Sequence, residues 1–136
     1  MKRLIEEKLQ EWKNDPARKP LLVRGARQVG KSHTIEDFGK SSFSGKIAIF
    51  NFERNPEYKA LFHTNYDPSR ILRELELIIG QRITPGSDLL FFDEIQDCPK
   101  AISALRYFYE EVPELHIIGA GSLLEFGLRQ ISVPVG

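Results

Sequence analysis

The chain has 136 residues, 41% of them hydrophobic, enough for one domain with a real core and too few for two such domains. Lysine plus arginine and aspartate plus glutamate stand at 19 each, so no overall field draws the chain to nucleic acid or to an anionic membrane. No apolar run approaches the length of a bilayer span, the segment Met1-Lys2-Arg3-Leu4-Ile5-Glu6-Glu7 meets acid where a signal peptide needs its apolar core, and the lone Cys98 excludes an internal disulfide; a soluble, cytoplasmic protein is expected.

In chain order, Leu4, Ile5, Leu9 and Trp12 recur at helical spacing among charges and predict an amphipathic helix over 3–14, ended by Asp15-Pro16 and Pro20. Arg18 and Lys19, in the linker that follows, either approach a bound anion or base or are simply solvated. The apolar run Pro20 to Arg24 is too short for a helix and reads as a first strand, and Ser32 to Phe38 reads as a helix that Gly39 stops. Lys46 to Glu53 predicts a second strand, apolar enough to be covered on both faces. Asn55-Pro56 opens a short helix through Phe62, and Asp67-Pro68 opens a longer one, each with a cap residue before proline in the first helical position. Ile71, Leu72, Leu75, Ile78 and Ile79 line one face of the longer helix until Gly80. Pro85-Gly86 turns into a third strand, Asp88 to Glu94; Ala101, Ile102, Leu105, Phe108, Tyr109 and Val112 give another helical stripe, closed by Pro113; Leu115 to Ala120 is a fourth strand. Strands alternating with helices point to a parallel sheet between helical layers.

Between the first strand and its helix lies Gly25-Ala26-Arg27-Gln28-Val29-Gly30-Lys31-Ser32, which fits the phosphate-loop pattern G-x-x-x-x-G-K-S/T without a mismatch. Two glycines let the backbone turn tightly and approach phosphate oxygens, and the helix that follows offers its positive end. Chance gives the pattern in on the order of one chain of this length in a few hundred, and the strand–loop–helix context narrows that further. The loop, with His33 following it, is therefore read as a triphosphate cradle for ATP: Lys31 faces the β- and γ-phosphates, and Ser32 offers a hydroxyl to Mg²⁺.

Leu89-Leu90-Phe91-Phe92-Asp93-Glu94 places two carboxylates after four apolar residues, at the strand end where open α/β sheets bind ligands. Asp93 then serves the metal, and Glu94, one methylene longer, polarises the attacking water. Ser122, after Gly119-Ala120-Gly121, either touches the γ-phosphate or caps the next helix in a box with Glu125, and one serine can serve both. Cys98 reads as a small buried hydrophobe rather than a nucleophile, and His33, His63 and His116 are too scattered for a zinc site.

Together Gly25 to Ser32, Asn51-Phe52-Glu53, Phe91-Phe92-Asp93-Glu94-Ile95-Gln96 and Gly119-Ala120-Gly121-Ser122-Leu123-Leu124 resemble the prokaryotic AAA-type ATPases that carry a C-terminal domain of unknown function, and the match runs over nearly the whole chain, 1–136. The resemblance implies a three-layer αβα P-loop core of RecA-like type with strand order 5-1-4-3-2. It makes 25–32 the Walker A loop, 89–94 the Walker B motif with catalytic Glu94, and 119–122 a segment like sensor 1, and it carries over Gly25, Gly30, Lys31, Ser32, Asp93, Glu94 and Ser122. In that family the pattern continues beyond Ser132-Val133-Pro134-Val135-Gly136 with an arginine, a fifth strand and the C-terminal domain. The chain thus reads as the N-terminal part of a longer protein, with any arginine finger elsewhere and an apolar edge on Leu21 to Arg24 that favours self-association.

ATP hydrolysis in a motor or switch domain is the first functional reading. A small-molecule or nucleotide kinase is an alternative, disfavoured by the Asp93-Glu94 pair because a kinase must exclude activated water. A nucleic-acid-stimulated translocase or helicase-like ATPase is another, disfavoured by neutral charge and a single lobe. A GTPase is disfavoured by the absence of a D-x-x-G switch and an N-K-x-D motif.

Overall fold

The computed structural model describes residues 2–25 and 31–122. Among them, helix α1 (Lys2–Asn14) precedes strand β1 (Leu21–Gly25), helix α2 (Lys31–Ser42), strand β2 (Ile47–Asn51), a 3₁₀ helix (Pro56–Phe62), helix α3 (Pro68–Ile79), strand β3 (Leu89–Asp93), a 3₁₀ turn (Ile95–Asp97), helix α4 (Pro99–Glu111) and strand β4 (His116–Ser122). The strands pair in parallel in the order β1-β4-β3-β2. Strands consecutive in the chain are each joined by a crossover that carries a helix, as parallel strands require, and the first crossover, through α2, takes the chain from β1 to β2 at the opposite edge.

Strand alternation sorts the core into two halves. Leu22, Ala48, Phe50, Leu90, Phe92 and Ile117 face α3 and α4, while Leu21, Val23, Leu89, Phe91, Ile118 and Ala120 face α1 and α2. Because successive strand side chains point to opposite faces, a run such as Leu89 to Phe92 feeds both halves at once and is buried throughout. The result is three layers, helices on both faces of the sheet, as predicted.

Several local expectations are revised. In α1, Ile5, Leu9 and Trp12 turn to the core but Leu4 is 51% exposed, since at about 100° per residue it lies roughly 100° away from the centre of that stripe. The indole Nε1 of Trp12 donates to the Lys19 carbonyl at 2.7 Å, tying the linker to α1. Helix α2 does not stop at Gly39 but runs to Ser42. A Cβ at Gly39 would sit 2.7 Å from Cδ1 and 2.9 Å from Cβ of Ile47, so this glycine permits close helix–strand approach and is no terminator. Strand β2 stands at the sheet edge and is not covered on both faces: Ile49 is 37% exposed. Asn55 makes no side-chain cap to the Pro56–Phe62 helix, which is 3₁₀ in type. By contrast Asp67 accepts from the Ser69 N–H, and Gly80 closes α3 in the left-handed region at φ 70°. Within α3, Ile71 and Leu75 are buried while Ile78 is exposed.

Asp88 precedes β3 rather than joining it. Its buried carboxylate accepts from the N–H groups of Lys46 at 2.7 Å and Thr84 at 2.6 Å and from Lys46 Nζ at 3.1 Å. These bonds, which hold its carboxyl below the ordinary range against the opposing cost of burial, fix the end of the sheet remote from the site described next.

Candidate functional site

Parallel strands end together, so their C-terminal residues form one rim. In register, Gly25 of β1 stands beside Ser122 of β4, and Asp93 of β3 lies between Ala120 of β4 and Asn51 of β2. Helix α2 begins at Lys31 on the same rim, placing its N-terminal end where an anion is favoured. Ala26 to Gly30 and Glu125 lie outside the described residues, as do the side chains of Lys31 and Ser122.

Strand alternation decides which way Asp93 points. It shares parity with Leu89 and Phe91, which face α1 and α2, and on that side Ser32 Oγ in the first turn of α2 donates to Asp93 Oδ2 at 2.8 Å. Two residues 61 positions apart are thereby brought into contact. Asp93 is 7% exposed, and its other oxygen, Oδ1, accepts the N–H of Glu94 at 2.9 Å. A hydroxyl and a carboxylate converging at the head of a helix make an oxygen set that suits a hard divalent cation. Among the described residues no group of three or more His, Cys, Asp or Glu is arranged to hold a metal ion by itself.

Glu94 adopts the left-handed conformation, φ 53° and ψ 45°, which a side chain longer than Asn or Gly adopts at a cost of order 1–3 kcal/mol. The chain then tightens into the 3₁₀ turn Ile95–Asp97, and Gln96 Nε2 donates to Glu94 Oε1 at 2.8 Å. No sequence motif assigns Gln96 a role, and it is the short turn directly after a buried acidic strand end that brings it to the site. Asn51 also shapes the rim. Its Oδ1 accepts the N–H groups of Glu53 at 2.9 Å and Arg54 at 2.8 Å, an Asx-type turn that closes the rim beside Asp93.

His33 is also on the first turn of α2 but points to solvent, 71% exposed, with Nε2 at 3.5 Å from Asp37 Oδ2. Arg18 and Lys19 are far from the rim. Arg18 Nη2 donates to the Glu114 carbonyl at 3.0 Å and lies 3.3 Å from His116 Nδ1, at the opposite, N-terminal end of β4, and Lys19 Nζ stands 5.7 Å over the Tyr109 ring. Neither residue approaches the rim, because β1 carries the chain the length of the sheet between them and Gly25. Cys98 is buried, and burial pushes its thiol up from the ordinary value, which leaves it inert as a nucleophile. A groove of about 490 Å³ between α1 and α2 is lined by Glu6, Glu7, Glu11 and Asp37, carboxylates that would repel a triphosphate, so the rim and not this groove is the candidate site.

A four-stranded parallel sheet between helical layers, with a glycine loop between β1 and α2 and an acidic end to β3 two strands away, defines a P-loop NTPase-like core. The sequence profile of the AAA domain family matches residues 17–135, and the chain belongs to that family. Its character is accordingly that of a nucleotide-binding domain of ATPase type. No curated protein matches the chain.

Proposed function

We propose that the chain binds Mg-ATP at this rim and hydrolyses it to ADP and phosphate, as the motor or switch domain of a larger protein. The observation that carries the reading is the contact of Ser32 Oγ with Asp93 Oδ2 at 2.8 Å, which joins the phosphate-loop helix to the acidic strand end as metal-assisted chemistry on a triphosphate demands. By the phosphate-loop pattern, Gly25 to Gly30 and the cation of Lys31 would hold the phosphates, and the oxygen groups of Ser32 and Asp93 would suit Mg²⁺. When bound, Mg²⁺ supplies positive charge against the phosphate oxygens. Glu94 acts as general base. Its carboxylate takes a proton from water as the water oxygen bonds to the γ-phosphorus, and the bond from that phosphorus to the bridging oxygen breaks toward ADP. Ser122, beside Gly25 in the register, senses the γ-phosphate. The described sheet has β1 at one end, and there a further strand of the protein or a second copy would add.

Replacing Glu94 by Gln keeps the shape and removes the base. Mg-ATP binding, measured by calorimetry, should stay within a few-fold of wild type while phosphate release slows by roughly 10²-fold or more. Equal turnover in mutant and wild type would eliminate Glu94 as the base.

A further inference from the structure

Gln96 reaches back over one residue to bond the very carboxylate assigned as base, Nε2 to Glu94 Oε1 at 2.8 Å, a good hydrogen-bond length. The turn that carries it is held firmly. Ile95 is fully buried against the sheet, so close to β4 that a Cβ on Gly119 would lie 3.0 Å from Ile95 Cδ1. The Asp97 N–H donates to the Glu94 carbonyl at 3.1 Å and the Cys98 N–H to the Ile95 carbonyl at 2.9 Å. Gln96 itself is 7% exposed. The backbone of Glu94 is fixed in turn by its N–H bond to Asp93 Oδ1 and by its left-handed conformation.

A glutamate side chain left to itself loses rotamer freedom when it is ordered. An amide donor built into a rigid turn meets part of that cost before substrate arrives. Donation to one carboxylate oxygen sets the plane of the group and leaves its negative charge in place, so the carboxylate remains able to accept a proton. We infer that Gln96 is a positioning residue for Glu94, holding the base in the orientation from which it activates water. This rests on the reading of Glu94 as the base.

The test is a kinetic cycle on the chain with Gln96→Ala, Glu94→Gln and the double variant, reading kcat by phosphate release and Mg-ATP affinity by calorimetry. Loss of orientation should lower kcat about 10-fold or more, with affinity within twofold of wild type, and Gln96→Ala should cost nothing further in the Glu94→Gln background. Gln96→Met, of similar length and uncharged but lacking the donor, should show the same kcat loss at unchanged affinity, and it decides the question if the alanine variant fails to fold. A kcat for the Gln96 variants within twofold of wild type, or a loss that persists undiminished without Glu94, overturns the positioning role while the hydrolase reading stands. Wild-type turnover in Glu94→Gln would instead remove the base assignment and this inference with it.

Discussion

Lys31 heads α2 at the rim, and at this scale charge and single torsions decide the chemistry. Its ammonium is the one the phosphate-loop pattern sets against the β- and γ-phosphates, while the backbone donors of the loop are dipoles only. Lys31→Ala should abolish tight Mg-nucleotide binding, read as the disappearance of the calorimetric isotherm at micromolar protein; unchanged affinity would sink the cradle. Glu94 shows the other side of residue-scale design. A left-handed glutamate is retained where a relaxed backbone would aim the carboxylate elsewhere, and such strain is commonest at functional sites.

Among elements, the contact of α2 with β2 depends on a missing side chain. Gly39 is a poor helix residue, about 1 kcal/mol less favourable than alanine, yet a Cβ there would meet Cδ1 and Cβ of Ile47 at 2.7 and 2.9 Å. Overpacking of this kind typically costs about 1–3 kcal/mol, which outweighs the gain in propensity. Gly39→Ala should therefore lower the urea midpoint, where a solvent-facing helical glycine would raise it. Since α2 also carries Ser32 to Asp93, a weaker Mg-ATP affinity should accompany the loss.

The whole molecule is tied together at the far end of the sheet by His116. Its ring meets Trp12 of α1 edge-on at 5.5 Å and Phe43 at 5.0 Å, and its nitrogens lie 3.3 Å from Arg18 Nη2 and from the Lys13 carbonyl. Burial first, and the neighbouring Arg18 cation second, lower its pKa from 6.5 to about 4. The unfolded chain binds a proton at His116 below about 6.5 that the folded chain refuses until about 4, so the stability is fully present above pH 6.5 and is lost as pH falls through that window. The loss is at most roughly 3 kcal/mol. Urea unfolding between pH 7 and 4 should show this slope, and His116→Gln should flatten it; an unchanged slope in the variant would assign the effect to the carboxylates.

The order of strands and helices, the phosphate loop before α2 and the acids at the end of β3 were legible in the sequence, because turn chemistry, short apolar runs and the spacing of Gly25, Gly30, Lys31 and Ser32 are local properties of the chain. The resemblance also implied the neighbours in the sheet, β1-β4-β3-β2, and the phosphate-loop pattern set Ser32 and Asp93 about one metal. Contacts outside those motifs were not legible: that Gln96 grips Glu94, that Gly39 seats Ile47 and that Arg18 belongs with His116 are decided by strand register and the two faces of the sheet. The exposure of Ile49 follows from the position of β2 at the edge. A run of apolar residues states that a strand will be buried, but burial on one face or both depends on which neighbours the crossovers bring. Those contacts join residues far apart in the chain, and only the packing of the complete sheet between its helices sets them.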